Sequence, residues 1–209
     1  MNEKYEMMIE RLLQTIKPHI IPFNEPWKVL ISTVLSQRTK DETTAKVSNK
    51  LYEKYPDLES IANANVEDLE NILKPIGFYN EKANRIREIS RILIKEYGGQ
   101  VPDEKDLLMK LPGVGTKTAN IVLSMSFDKD YIAVDTHVHR ISNRLGWVKT
   151  NTPEETEIEL EKIIDKKYWK ILNGIMVEFG KNVCKPVNPR CDICPLNDIC
   201  PSSRIVAKK

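Results

Sequence analysis

Every cysteine in the chain falls in one short stretch: Cys184, Cys191, Cys194 and Cys200, spaced C-x6-C-x2-C-x5-C. The first residues, "MNEKYEMMIERLLQ", mix acids and bases and lack the apolar core of a secretory leader. Thiols this dense in such a chain argue for metal ligation over disulfide pairing. Zinc is the generic alternative, but its usual arrangement is two C-x2-C pairs held apart by a longer loop. A compact, nested set suits a cubane-like [4Fe–4S] cluster with four thiolate ligands. Between the first two cysteines, "KPVNPR" places Lys185 and Arg190 where a metal-pinned loop presents cations to a phosphate backbone. Contacts of that kind set position and make binding salt-dependent.

A second constellation is "LPGVGTKTAN", residues 111–120, where two of only eight glycines stand two apart behind a proline. Leu107, Leu108 and Leu111 belong to a short helix that Pro112 ends. Gly113 can take positive φ without a Cβ clash, and the bare backbone at Gly113 and Gly115 can approach a ligand closely. A second helix, carrying Ile121, Val122 and Met125, starts near Thr116. The N–H groups of its first turn form an anion site, best suited to phosphate. The nucleotide loop G-x-x-x-x-G-K-[ST] is excluded, because only Val114 separates the glycines. The competing reading is an ordinary tight helix–helix turn. Lys117 lies in the first turn of this second helix. A cation there opposes the helix dipole by about 0.3–1 kcal/mol, and partial burial disfavours its charge further. Both effects favour a neutral amine, a nucleophile. The plainer role is pairing with a phosphate.

The elements that must hold these residues are helical. Apolar residues recur at three and four nearly throughout. Met8, Leu12 and Ile16 form one stripe. Val29, Thr33 and Ser36 share one side of a helix whose remaining faces are apolar, which marks it as buried and central. Asp41 is a candidate N-cap. Ile86, Ile89, Leu93 and Tyr97 are spaced along a helix that stops at Gly98-Gly99. Asp135 caps "THVHRISNRLG", which ends at Gly146, and the acidic helix after Pro153 starts with proline and acids, as the dipole prefers. "YIAVD", residues 131–135, is the only strand-like run and has no partner. The expectation is an all-α protein of about ten helices with short links. Of its 209 residues 41% are apolar and 30% charged, with a formal net charge of +2. That composition describes a globular chain and leaves the question of nucleic acid to local charge. No apolar run approaches membrane length, and a cytoplasmic location is expected.

The hairpin segment resembles the helix–hairpin–helix of the DNA glycosylase superfamily in its endonuclease III branch. "VLISTVLSQRTKDETTAKV" resembles the family's early helix and first loop, "IGFYNEKANRI" its second DNA-contacting loop, "AVDTHVHRISNRLG" its catalytic aspartate segment, and the cysteines its iron–sulfur loop. The motifs occur in the family's order across about residues 25 to 201. The resemblance implies a two-lobed fold: a helical-barrel lobe over 23–132 that contains the helix–hairpin–helix (106–126), and an iron–sulfur lobe made of 1–22 plus 133–209. It implies that a monomer binds double-stranded DNA holding damaged bases or abasic sites, across a groove with Lys117 on one wall and Asp135 on the other.

The chemistry implied is that of a bifunctional DNA glycosylase and AP lyase acting on oxidised pyrimidines in base-excision repair. Lys117 attacks C1′ of the damaged nucleotide, the base leaves, a Schiff base forms, and β-elimination cuts the strand. The family's catalytic aspartate falls at Asp135. A fixed carboxylate stabilises positive charge on the sugar and can take a proton from Lys117. His137 and His139 lie on different helix faces and make poor joint metal ligands; His137 is expected to face DNA and His139 to pack. A flipped base leaves a gap. Phe78, after Gly77, matches the family's wedge, with Tyr79 beside it. The family's first-loop glutamine aligns with Arg38 in an ungapped match, and Gln37 falls one position earlier; both, with Thr39, are DNA-contact candidates. So are Leu111, Gly113, Val114, Gly115 and Thr116 of the hairpin. Two rivals stand beside this reading. One is a monofunctional mismatch or adenine glycosylase, for which an amine at position 117 is unnecessary. The other is a non-catalytic, redox-responsive iron–sulfur DNA-binding protein, for which Lys117 is dispensable.

Overall fold

A computed structural model describes residues 3–205. These residues form eleven α-helices. They are α1 Glu3–Thr15, α2 Pro26–Ser36, α3 Asp41–Lys54, α4 Leu58–Ala62, α5 Val66–Leu73, α6 Tyr79–Tyr97, α7 Lys105–Leu108, α8 Thr116–Ser126, α9 Thr136–Arg144, α10 Pro153–Ile163 and α11 Trp169–Asn182. Single 3-10 turns cover Lys166–Tyr168 and Cys191–Ile193. Among the described residues there is no strand, and no helix is long and apolar enough to cross a membrane. The chain divides into two compact units, Ile21–Lys129 and Met1–Ile20 with Asp130–Lys209.

In the unit Ile21–Lys129, α2 is central. Every residue from Val29 to Leu35 is buried, so this helix has no face for water and is covered by α3, α6 and α8. Its buried hydroxyls find acceptors at home: Thr33 Oγ1 donates to Val29 O at 2.7 Å, and Ser32 Oγ pairs with Tyr52 OH at 2.7 Å. Helix α6 buries Ile86, Ile89 and Leu93 against α4 and α5. It ends at Gly98, whose φ of 60° supplies the left-handed cap expected there. The expected cap at Asp41 is displaced by one residue. Lys40 holds the extended N-cap conformation with no side-chain bond, and Asp41 is the first helical residue. A carboxylate there serves the helix dipole instead.

In the other unit, α1 buries Met8, Ile9 and Leu12 in a core shared with Ile141 of α9 and Leu172 and Ile175 of α11. The run 131–135 forms no helix and, among the described residues, pairs with no strand. Ile132, Ala133 and Val134 are buried, and Asn173 Nδ2 donates to Ala133 O at 2.9 Å. Ile132 is wholly enclosed in this core. Helix α9 stops at Arg144, with Leu145 as C-cap; Gly146 follows at φ 67°. Helix α10 starts at Pro153 behind Thr152, whose side chain accepts from Glu155 N.

Candidate functional site

The hairpin is built as a tight turn: Val114 N donates to Leu111 O at 3.1 Å. Gly113 sits at φ 75°, a conformation that calls for glycine, and its bare backbone leaves room for the Arg85 side chain, whose Cδ would lie 2.3 Å from a Cβ there. Gly115 is the N-cap of α8 in extended conformation, with open space where a side chain would stand. Helix α8 therefore begins with no side-chain cap, and its first-turn N–H groups form an anion-binding end. Lys117 is the second residue of that turn and is half-buried. Among the described residues nothing engages its ammonium. Burial narrows two of the hairpin expectations. The side chains of Leu111 and Val114 are 2% and 6% exposed. They anchor the turn in the core, and only their backbone can meet a ligand. Gly113, Gly115 and Thr116 remain accessible.

Two further loops of the same unit meet beside the hairpin. Gln37, the C-cap of α2, is turned inward: its Nε2 donates to Gly113 O at 2.9 Å and lies 3.5 Å from Thr118 Oγ1. Arg38 is exposed and left-handed, at φ 54°. Phe78 is also left-handed, at φ 59°, and 55% exposed. Both pay the strain of a non-glycine residue in this region. The Arg38 guanidinium lies over the Phe78 ring, 5.5 Å from its centroid, within cation–π range. Gly77 lets the loops touch, since a Cβ there would lie 3.1 Å from Arg38 O. Thr39 and Tyr79, flanking these two, are half-buried.

In the other unit, Asp135 caps α9 as expected. Its Oδ1 accepts from His137 N and Val138 N, both at 2.9 Å. One oxygen thus fixes the helix start and Oδ2 stays outside the cap. His137 does not simply face outward: its ring packs on Gly180, where a Cβ would meet Nδ1 at 2.3 Å. Arg140 Nη2 lies 3.3 Å from the same Nδ1. His139 packs, with Nδ1 2.7 Å from Thr156 Oγ1.

The four cysteines are half-buried free thiols lining one cavity of about 210 Å³, together with Arg144, Phe179 and Val183. Burial pushes the Cys194 thiol up to about 11 and raises Cys200 as well. Thiols buried this way become good ligands only when a positive centre offsets the thiolate charge. Four cysteines lining one cavity, with no disulfide formed among them, fit an iron–sulfur cluster. The loop is gripped from α9, a feature not read from sequence. Arg144 donates to Lys185 O at 2.6 Å, to Pro186 O at 2.7 Å and towards Cys184 Sγ at 3.6 Å. Arg140 donates to Cys184 O at 3.1 Å; its guanidinium is pulled down from the usual arginine range, first by burial. Lys185 and Arg190 are left exposed on the loop. Arginines one turn apart on the helix after the aspartate, at 140 and 144, were the available signal.

Residues 31–166 match the family described as HhH-GPD superfamily base excision DNA repair protein, and residues 184–200 match the iron–sulfur binding domain of endonuclease III. Endonuclease III of Thermotoga maritima is 56% identical over 196 residues, 92% of each chain. Endonuclease III-like protein 1 of Gallus gallus is 39% identical, over 95% of this chain and 71% of its own. The structure of a trapped endonuclease III–DNA covalent intermediate superposes with a TM-score of 0.91 at 36% identity, covering 100% of this chain and 99% of that one.

Proposed function

We infer the roles of individual residues from one premise: the chain belongs to the endonuclease III family of base-excision DNA repair proteins, and it is a bifunctional DNA glycosylase and AP lyase that carries a [4Fe–4S] cluster. Lys117 is the nucleophile. The observation that carries this role is its half-buried amine, which no acceptor among the described residues holds, in the first turn of a glycine-capped helix suited to phosphate. Its Nζ attacks C1′ of the damaged nucleotide. The glycosidic bond breaks, and the base leaves with the bonding pair and takes up a proton. The sugar ring opens to a Schiff base, and loss of a C2′ proton expels the 3′ phosphate, which cuts the strand.

Asp135 supplies the carboxylate for the same sugar. Its cap bonds hold Oδ1 fixed, so the charge is oriented before substrate arrives and needs no rearrangement as positive charge builds. Cys184, Cys191, Cys194 and Cys200 ligate the cluster. When bound it cross-links their loop, which presents Lys185 and Arg190 to a phosphate backbone, and it takes no part in the lysine chemistry. The unit Ile21–Lys129 is the barrel lobe and the other unit the iron–sulfur lobe. The substrate is double-stranded DNA with oxidised pyrimidines or abasic sites, bound by a monomer in the cytoplasm. Phe78 is the wedge, and the first loop, Gln37 to Thr39, contacts the strand opposite the extruded nucleotide.

Borohydride tests the reading. It should trap wild-type protein on an abasic duplex as a covalent adduct, and absence of an adduct would overturn the role of Lys117. A panel of duplexes with single damaged bases then identifies the lesion class; cleavage confined to mismatches would replace the oxidised-pyrimidine assignment.

A further inference from the structure

Lys82 is the only buried lysine among the described residues, 2% exposed. An ammonium carries three donors, and here three acceptors meet them: Leu35 O at 2.8 Å, Gln37 O at 2.5 Å and Thr39 Oγ1 at 3.2 Å. Leu35 and Gln37 close the C-terminal end of α2, where carbonyls lack helical partners and the dipole favours a cation. The backbone of Lys82 reaches the second loop as well, since its N–H donates to Phe78 O at 3.0 Å. One residue therefore grips both loops, the first through its side chain and the second through its main chain. Burial, and after it the Arg85 guanidinium, push the Lys82 pKa down to about 8. At neutral pH the group is still an ammonium with all three donors in use.

What these bonds hold is a strained pair. Arg38 and Phe78 both occupy the left-handed region, and both are exposed. Their backbones abut at Gly77, and their side chains stack. Without the clamp, Leu35 O loses this donor, Gln37 O keeps only Thr39 Oγ1 at 3.4 Å, and among the described residues no other hydrogen bond ties Thr39 to α6. We infer that Lys82 is a positioning residue for base extrusion, fixing Arg38 and Phe78 side by side so that guanidinium and ring enter a duplex as one preformed unit. This rests on the reading of the protein as a DNA glycosylase and lyase.

The test separates gap filling from chemistry. An abasic site in a duplex must be extruded and the vacated space filled, whereas a single-stranded abasic oligonucleotide has no stack to repair. The measured quantity is the ratio of single-turnover cleavage rates, duplex over single strand. In Lys82→Met this ratio should fall about tenfold or more, because a misplaced loop removes orientation and not the nucleophile. A role confined to holding the fold together lowers both rates alike and leaves the ratio where it was. Gly77→Ala provides a second variant that spares the core. Its added Cβ presses on Arg38 O and should lower the same ratio about threefold. A wild-type ratio in Lys82→Met overturns the inference; should that variant not fold, a wild-type ratio in Gly77→Ala does so. If wild-type protein cuts neither substrate, the reading of Lys117 fails and this inference falls with it.

Discussion

Two lysines of one unit sit at opposite kinds of helix end. Lys117 occupies the first turn of α8, behind a bare glycine, with no acceptor among the described residues. The Lys82 ammonium closes the last turn of α2 and is saturated by three oxygens. The side chains are identical, and their surroundings assign them different work. A lysine whose donors are all committed is held in place and holds its neighbours. A lysine without partners keeps its amine available to a substrate. Buried position alone does not mark a nucleophile; what the nitrogen is bonded to decides.

The comparison breaks most sharply at Lys117. Lys117→Gln should lower strand cleavage about a thousandfold or more and abolish borohydride trapping, while duplex affinity measured by anisotropy changes little. Retained cleavage would move the nucleophile elsewhere, with Lys82 the first alternative to examine. Asp135→Asn comes next. The amide oxygen can still accept from His137 N and Val138 N, so the cap survives and only the charge is lost. Single-turnover base release should drop about a hundredfold, by analogy with removal of one electrostatic stabiliser, with less than about 1 kcal/mol lost in chemical unfolding. A larger loss of stability would make the residue's role mainly structural.

Smaller effects sharpen the contrast between held and free groups. Arg144→Met removes the donors to Lys185 O and Pro186 O. It should cost about 1.5–3 kcal/mol locally, read as faster loss of iron–sulfur absorbance under a chelator, with Lys117 chemistry intact while the cluster persists. The smallest effect is a pH dependence at Lys82. Its pKa is about 8 when folded and 10.5 when not. Between those values the unfolded chain binds the extra proton, so raising pH through this window favours the folded state. The stability of wild type relative to Lys82→Met should therefore rise from pH 8 towards 10.5. The opposite slope would mean that the ammonium bonds outweigh burial.

Much of the site was legible because it is local. Pro112, the glycines at 113 and 115 and Lys117 lie within one turn of chain, and the thiols within one loop. A short-range steric or ligand-spacing rule reads the turn and the thiol set, whereas the role of Lys117 rests on the family resemblance. The Gly98 stop, the Thr136 start and the Pro153 start were legible for the same reason. Reading failed where a distant partner decides. Gln37 and Gly113 are 76 positions apart, so nothing near Gln37 says that its amide braces the hairpin while Arg38 is left outside. The burial of the Leu111 and Val114 side chains was hidden likewise, because exposure is not written in a turn motif. Lys82 had a signal that went unused: it stands on the apolar stripe of α6, in line with Ile86, Ile89 and Leu93. A charge on such a stripe demands acceptors, and pattern alone could not name them.

By itself the sequence determined the helical order, the capped ends, the glycine turn and the metal-binding thiols, because dihedral sterics, helical periodicity and ligand spacing act over a few residues. The tertiary structure alone decided which polar groups are spent on the protein and which are left for a ligand. Hydrogen bonds and burial depend on atoms brought together from far along the chain, and only folding sets those distances.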